Sequence, residues 1–409
     1  MAYSNPVVLF DKKEECCACG ACMNICPQNA ISMQEDEFGF LYPQIDNAKC
    51  IRCGACKNVC AYQNTVPTSE PLAVYAAINS NKVQKITSAS GGLFAAFATK
   101  IINDGGIVYG CSLEIDGNEF VPRHISIDTL NQLYKLQGSK YVQSTIGFIY
   151  KEILENLKRG RKVLFSGTPC QVAGLKEFLK KDYENLVLVD VICHGVPNAR
   201  FFNDYLESLR KRKGWERITG YSFRDKRKGW GMNCRIDAIS YNRQPISHYI
   251  PARLASYNTL FLDGHIYRAN CYSCKYACSK RVGDITIGDY WGITSEHPEI
   301  LDKDGFEEKL GISCMMANNK RGLDFSNEME GFIIKEASTF EKVSKKNEQL
   351  KKPFKQSSKR EKIMQVYIDR GYEGIEKLYR SEYRKQRVIH YIFNKLPRNI
   401  RNNIKKIKG

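Results

Sequence analysis

The sequence predicts a mixed protein, α+β at its amino end and α/β beyond, closed by a basic helical tail. Three observations carry that prediction. A four-cysteine pattern occurs twice within the first 62 residues. Strand-like and helix-like segments alternate from about residue 72 to 300. Residues 341–409 hold 21 Lys and Arg against 7 Asp and Glu, a net +14, which leaves +4 of the total +18 for everything before. The expected domains are a cysteine-rich unit over 1–65, an α/β unit over 72–320 and the basic tail over 341–409.

Each element has its own justification. Cys16, Cys19, Cys22 and Cys26 recur as Cys50, Cys53, Cys56 and Cys60, each displaced by 34 residues. Between the halves, AISMQEDEFGFLYPQI reads as short strands around a turn at Gly39. QNTVPTSEP (Gln63–Pro71) has linker composition. SGGLFAAFATKIIND reads as a helix and IVYGCSLE as a strand after the Gly105-Gly106 break. KEILENLKRG is a helix with a glycine stop, KVLFSG a buried strand, VAGLKEFLKK a helix and NLVLVDVIC another buried strand. That order is a βαβ unit and requires parallel pairing. Residues 215–250 read as an antiparallel hairpin, and DITIGDYWG as a last strand. Beyond about 320 the chain turns helical.

Composition narrows the function. Of 409 residues, 43% are apolar and 26% charged, which gives a globular chain with room for two or three domains. No run approaches the ~18 apolar residues of a membrane span. The start, MAYSNPVVLFDKKEECC, lacks the features of a signal peptide, so a cytoplasmic protein is expected. In a reducing compartment, 17 cysteines argue for metal or redox chemistry over disulfides. The positive charge belongs to the tail, so no nucleic-acid partner is expected for the body.

Duplicated Cys-x2-Cys-x2-Cys loops suit four-iron clusters, which need four thiolates around a compact cube, the fourth coming from the other loop. The spacing assigns Cys16, Cys19 and Cys22 with Cys60 to one [4Fe–4S] cluster, and Cys50, Cys53 and Cys56 with Cys26 to a second. Zinc sites use separated pairs instead. Cys26 precedes Pro27 as expected, whereas Cys60 precedes Ala61. Cys17 lies outside the pattern and reads as a bystander. Cys170 follows a strand and opens a helix, whose N-terminus would favour a thiolate. Cys193 ends the next strand, and Cys271-x2-Cys274 forms a chelating pair. Together these four make a set for a third [4Fe–4S] cluster; from spacing alone, buried core cysteines account for Cys170 and Cys193 equally well. Cys278 could replace a member. Cys111, Cys234 and Cys314 read as interior residues.

SASGGLF (Ser88–Phe94), GSKYVQS (Gly138–Ser144), SGTPCQVAGL (Ser166–Leu175), CHGVP (Cys193–Pro197), FRDK..GW (Phe223–Trp230) and CYSCKYACSKRVGDITIGDYWG (Cys271–Gly292) occur in that order. The ordered set, over roughly residues 10–295, resembles the coenzyme F420 hydrogenase/dehydrogenase beta-subunit family with an N-terminal bacterial-type two-cluster ferredoxin domain. The resemblance implies a [4Fe–4S] cluster and a flavin, usually FAD, in the α/β domain. It also implies electron transfer between iron–sulfur centres and a two-electron carrier or substrate. The expected function is an iron–sulfur flavoprotein oxidoreductase acting on a small molecule, with a redox partner protein or a donor such as ferredoxin; many similar bacterial proteins belong to polysaccharide gene neighbourhoods. The alternatives are a coenzyme F420 reductase or dehydrogenase subunit, and a relay subunit of a larger redox complex with no chemistry of its own.

Flavin-binding candidates are Ser88, Ser90, Gly91, Gly92, Gly138, Ser139, Lys140, Tyr141, Gly167 and Thr168. Small residues before a helix allow close approach of a pyrophosphate to free N–H groups, and Lys140 adds a cation. A serine N-cap and an ordinary loop explain the same residues without a ligand. No Gly-x-Gly-x-x-Gly follows a strand, which disfavours a Rossmann site. Arg224, Lys226, Arg227 and Lys228 beside Trp230 form a basic hairpin tip able to receive an anion, or simply a solvated turn. His194 and His265 read as structural residues, or as proton donors or substrate contacts; Asp284 and Asp289, near Trp291, read as site-orienting residues or strand caps. No residue is assigned a catalytic role. In the tail, Ile389, Ile392, Phe393, Leu396, Ile400, Ile404 and Ile407 recur at helical spacing among basic residues, with Pro397 dividing the stretch. Such a stripe suits peripheral contact with an anionic membrane, and packing on the body accounts for it almost as well.

Overall fold

The computed structural model describes residues 7–396. Strands β1 (Ile31–Glu35) and β2 (Leu41–Ile45) pair antiparallel around a turn in which Gly39 takes φ +90°. Each cysteine loop runs into a short helical turn, Ala21–Ile25 or Ala55–Asn58. The repeat extends to the backbone. Ala18 and Arg52 share φ near +54° (53° and 55°), and Gly20 and Gly54 take φ 77° and 74°. Left-handed residues interposed between thiols curl the loop so that successive N–H groups line a concavity.

The main sheet has eight strands. Along the chain come β3 (Ala73–Asn79), β4 (Ile107–Asp116), β5 (Glu119–Ile127), β6 (Val163–Gly167) and β7 (Leu186–Val191). A separate antiparallel sheet follows, made of β8 (Trp215–Ser222), β9 (Asn233–Ser240) and β10 (Pro245–Pro251). The chain then returns as β11 (Ile285–Asp289), β12 (Ser313–Ala317) and β13 (Ile333–Ala337). The spatial order is β13-β3-β12-β11-β7-β6-β4-β5, in which β4, β6, β7 and β11 run parallel and both flanks are antiparallel.

The parallel centre is covered on both faces. Helix α1 (Leu93–Asn103) packs on one, over Val108, Leu164, Val187, Val189 and Ile285. Helices α2 (Ile149–Lys158) and α3 (Pro169–Leu179) pack on the other, over Ile107, Tyr109, Val163, Phe165, Leu186 and Leu188. Alternate residues of one strand therefore enter opposite cores, which is why these strands read as unbroken apolar runs. The second core also contains Cys17, Cys19, Ala21, Val59, Ala61 and Val66. The ferredoxin-like unit thus shares its interior with the α/β unit; Asn24 donates to the Gly147 carbonyl (2.8 Å) across the junction.

Helix α4 (Ala199–Lys213) carries Phe201, Phe202 and Tyr205 into a third core. There it meets α5 (Lys359–Glu382), which is interrupted at Gly371 and buries Ile363, Tyr367, Tyr372, Ile375 and Tyr379. Much of the segment expected as a tail is therefore body. The last described element, α6 (Arg384–Lys395), buries no residue. Ile400, Ile404, Ile407 and Pro397 lie outside the described residues. No helix among the described residues is long and apolar enough to cross a membrane.

Candidate metal centres

Two thiol-lined cavities occupy the ferredoxin-like unit. The outer is framed by Cys26, Cys50, Cys53 and Cys56 together with Val7, Ile31 and Ile45. The inner is framed by Cys16, Cys19, Cys22 and Cys60, with Cys17, Phe10 and Tyr62 beside them; Cys56 borders both. Each cavity takes three thiols from one loop and the fourth from the other, the arrangement expected from spacing. Among the described residues no three His, Cys, Asp or Glu side chains converge tightly enough for a single metal ion. Thiols set around a four-iron cube stand apart at its corners, so the two observations agree. Burial, together with Cys16, Cys60 and Cys56, raises the Cys22 thiol. Burial also raises Cys16, where Arg268 opposes it. Thiols that repel one another in a dry cavity need a cationic core to become thiolates.

The third set gathers at the carboxyl edge of the parallel strands. Gly167, at the end of β6, lies level with Asp190 of β7, so the turns bearing Cys170 and Cys193 are neighbours. Thr168 caps α3, and its Oγ1 sits 3.2 Å from the Cys170 sulfur. Burial pushes Cys193 up to about 12, with Cys170 and Cys274 adding to it. Burial likewise pushes Cys274 up to about 11, and Cys170 adds to it. Cys271 is raised well above its ordinary value by burial, Cys193 and Cys274. All four thiols feel one another.

A fifth thiol, outside the repeated spacing, adjoins this set. Cys17, expected as a bystander, is buried and close enough to Cys170 that each thiol perturbs the other. It joins the inner cavity to the third set. Helix α3 makes the contact possible: a Cβ on Gly174 would lie 2.9 Å from the Cys19 sulfur, so only glycine lets the helix come this close. Cys278 instead points to the Lys275 and Lys280 carbonyls. Cys111, Cys234 and Cys314 stand outside all three sets; Cys234 accepts from Asn258 and Cys314 donates to the Asp289 carbonyl.

The residues marked for a flavin fall into separate places. Gly167 and Thr168 belong to the third thiol set. Ser88 Oγ donates to the Gln84 carbonyl (2.7 Å), Ser90 Oγ to Ile312 (3.0 Å), and Gly91 N–H to Ser313 Oγ (3.0 Å). A Cβ on Gly91 would lie 2.6 Å from the Ala77 oxygen, so this glycine answers to packing against β3 and β12. Gly92, at φ +86°, turns the chain into α1. The Lys140 ammonium, expected as a cofactor cation, donates to the Lys135, Leu136 and Gln137 carbonyls and closes a helix end. Burial pushes it down to about 8. Gly138 takes φ +81°, Ser139 lies beside Tyr141, and Tyr141 stacks on Phe261 with centroids 4.6 Å apart.

The basic hairpin tip folds onto the serine–glycine turn. Lys226 donates to the Lys85 and Ser90 carbonyls, and burial and Arg224 push it down to about 7. Arg224 pairs with Asp289 at the end of β11, and Trp230 Nε1 donates to the same carboxylate (2.9 Å). Trp230 stacks on Trp291 at 4.7 Å. Arg224 is buried, and its Nη2 has no protein partner. Burial lowers His194, opposed by Asp289. Asp284 is structural, accepting from Leu188 N–H and Asn319, and His265 bonds Tyr383.

Fold and thiol sets define an iron–sulfur electron-transfer protein. Residues 15–64 match the 4Fe-4S dicluster domain, and residues 160–342 match the C terminus of the coenzyme F420 hydrogenase/dehydrogenase beta subunit. The chain thus carries a match to the C-terminal domain of that beta subunit, with a match to the dicluster ferredoxin domain ahead of it. No curated relative matches it. A chain of the F420-reducing [NiFe] hydrogenase complex from Methanosarcina barkeri, solved as a xenon derivative, aligns at 13% identity with a TM-score of 0.38, covering 76% of this chain and 92% of that one.

Proposed function

We propose that the protein is an iron–sulfur flavoprotein oxidoreductase with three four-iron centres leading to a flavin. One observation carries this reading: Cys17, in the wall of the inner ferredoxin cavity, lies beside Cys170 of the third thiol set, so the inner and third sets adjoin. Cys16, Cys19, Cys22 and Cys60 hold the inner cluster, and Cys26, Cys50, Cys53 and Cys56 the outer. Cys170, Cys193, Cys271 and Cys274 hold the third, with Cys17 as a fifth thiol against it. When bound, the clusters supply one-electron steps and the flavin couples them to two-electron chemistry.

The chain's own residues then divide the work. The Ser88–Gly92 turn offers close backbone approach, and Arg224 with its free Nη2 and Lys226 offer charge for an anionic group. The stacked Trp230 and Trp291 wall this side of the sheet edge. A redox partner protein or ferredoxin delivers or removes electrons, and a small molecule is the substrate; the family resemblance brings polysaccharide assembly as its setting. The family's name favours a second reading, in which coenzyme F420 is the two-electron partner. Helix α6 supplies a peripheral contact with an anionic membrane.

Anaerobic purification with iron, sulfide and flavin analysis tests the proposal. About twelve irons per chain and a non-covalent flavin released as FAD are expected. Cys170→Ser, Cys193→Ser and Cys274→Ser should each lose about one cluster. About eight irons in the native protein, or normal iron in all three variants, would remove the third cluster. Failure to bind FAD or FMN would leave only the relay reading.

A further inference from the structure

The inner ferredoxin cavity and the third thiol set are joined by Arg268, and its surroundings are unusual. Its backbone belongs to the third set: the N–H donates to the Val196 carbonyl (2.9 Å), and the carbonyl accepts from Cys271 N–H (3.0 Å). Its side chain leaves that set for the ferredoxin-like unit. Nε donates to the Cys16 carbonyl at 2.9 Å, Nη1 reaches Gln143 Oε1 at 3.5 Å, and the guanidinium lies 4.0 Å over the Tyr42 ring. The residue is fully buried, and Nη2 has no partner.

Arginine stays charged in any protein interior, and a buried charge calls for an opposite one. Arg281, the other fully enclosed arginine beside the third set, has that partner in Asp190 at 2.8 Å. Arg268 has no carboxylate at ion-pair distance among the described residues. What the guanidinium does face is the loop of the inner thiol set, whose Cys16 carbonyl it holds, with the Tyr42 ring beneath it. A cube ligated by four thiolates is net anionic and gains negative charge on reduction, which a fixed cation favours.

We propose that Arg268 is the counter-charge of the inner cluster, presented to it from the third thiol set, and that it raises the cluster's reduction potential relative to that of the outer cluster. This rests on the reading that Cys16, Cys19, Cys22 and Cys60 hold a cluster. Arg268 is a positioning residue: it acts through the field at the cluster and touches no substrate. The result is a downhill step for electrons from the surface cluster toward the junction of the two units.

The test is an anaerobic redox titration of the reconstituted full-length protein, followed by electron paramagnetic resonance. A unit charge acting over about 10 Å at an effective dielectric of about 20 shifts an equilibrium on the order of tenfold. Arg268→Gln should therefore lower the inner cluster's potential by about 59 mV, one decade for a one-electron couple. The outer cluster should move much less, and Arg268→Lys should restore most of the native value. Gln143→Glu sets a carboxylate against Arg268 with little change of shape, and should shift the inner cluster in the same direction even if Arg268→Gln fails to assemble. An unchanged inner potential in Gln143→Glu and in any assembled Arg268→Gln would overturn the proposal. So would a Lys variant shifted as far as the Gln variant, since that would assign the effect to the guanidinium's hydrogen bonds. Absence of an inner-cluster signal in the native protein would instead overturn the ligand assignment on which it rests.

Discussion

Asp190 and Arg281 show how single residues hold the carboxyl edge together. Asp190 is fully buried; one oxygen accepts from Arg281 (2.8 Å) and Thr286 (2.7 Å), the other from Gly283 N–H (2.8 Å). Arg281 also reaches the Tyr276 and Cys278 carbonyls, so the pair ties β7 and β11 to the loop of the third thiol set. Asp190→Asn would leave Arg281 uncompensated, and anaerobic urea denaturation should show a loss of about 3–5 kcal/mol. An unchanged midpoint would mean that the network contributes nothing net. His124 sets a pH dependence. Its ring lies between the Ser166 carbonyl (3.1 Å) and Ser144 Oγ (3.0 Å), and burial pushes it down to about 4. Above pH 6.5 the ring is neutral folded or unfolded, and its contribution is complete. As pH falls, the unfolded chain takes up the proton first, so on the order of 3 kcal/mol should be lost between about pH 6.5 and 4. His124→Gln should flatten that part of the stability profile, and a profile of unchanged slope would refute the assignment.

Helix α6 carries the prediction that belongs to whole elements. Val388, Ile389, Tyr391 and Ile392 are each more than half exposed on a helix that also presents Arg384, Lys385 and Lys395. An apolar stripe enters a headgroup boundary, and each basic residue near anionic lipid adds on the order of 1 kcal/mol. Tyr379 and Tyr383 are core residues, so the informative truncation removes 384–409 and spares them. Full-length protein should sediment with anionic vesicles in a salt-sensitive manner, and the truncation and Ile389→Ser/Ile392→Ser should not. Equal sedimentation of all three would discard the membrane contact. Elements were legible where spacing is local: β6 and β7 as apolar runs with α3 between them, α1 ahead of β4, and the strands around Gly39. Helix α5 was not, because its aromatic inner face is spread among charged residues and looks like the rest of a basic tail until α4 is set against it.

At the scale of the molecule, the two ferredoxin cavities were legible because a repeated spacing is itself the ligand geometry. The third set was legible only as an unordered group of thiols, since Cys170, Cys193 and Cys271 meet through strand order. Cys17 was illegible: nothing local distinguishes it from a spare cysteine, and its role depends on α3 lying against its loop. The Arg224–Asp289 pair, 65 residues apart in sequence, was hidden for the same reason, and Lys140 misled because a lysine in a glycine–serine loop looks free until its carbonyl partners are known.

The crossing of the fourth cysteines has a consequence for ancestry. Each half repeats four cysteines, and the last of them, Cys26 or Cys60, stands in the wall of the cavity built on the other half's loop. Neither half can complete a cavity unaided. A single ancestral copy could have closed such cavities only as a pair of identical chains exchanging one ligand across a two-fold axis. Two halves within one chain make that pairing independent of concentration and leave each half able to take a different surface. Here Cys53 of one half is exposed, while Cys17 and Cys19 of the other are buried in the core shared with the α/β unit.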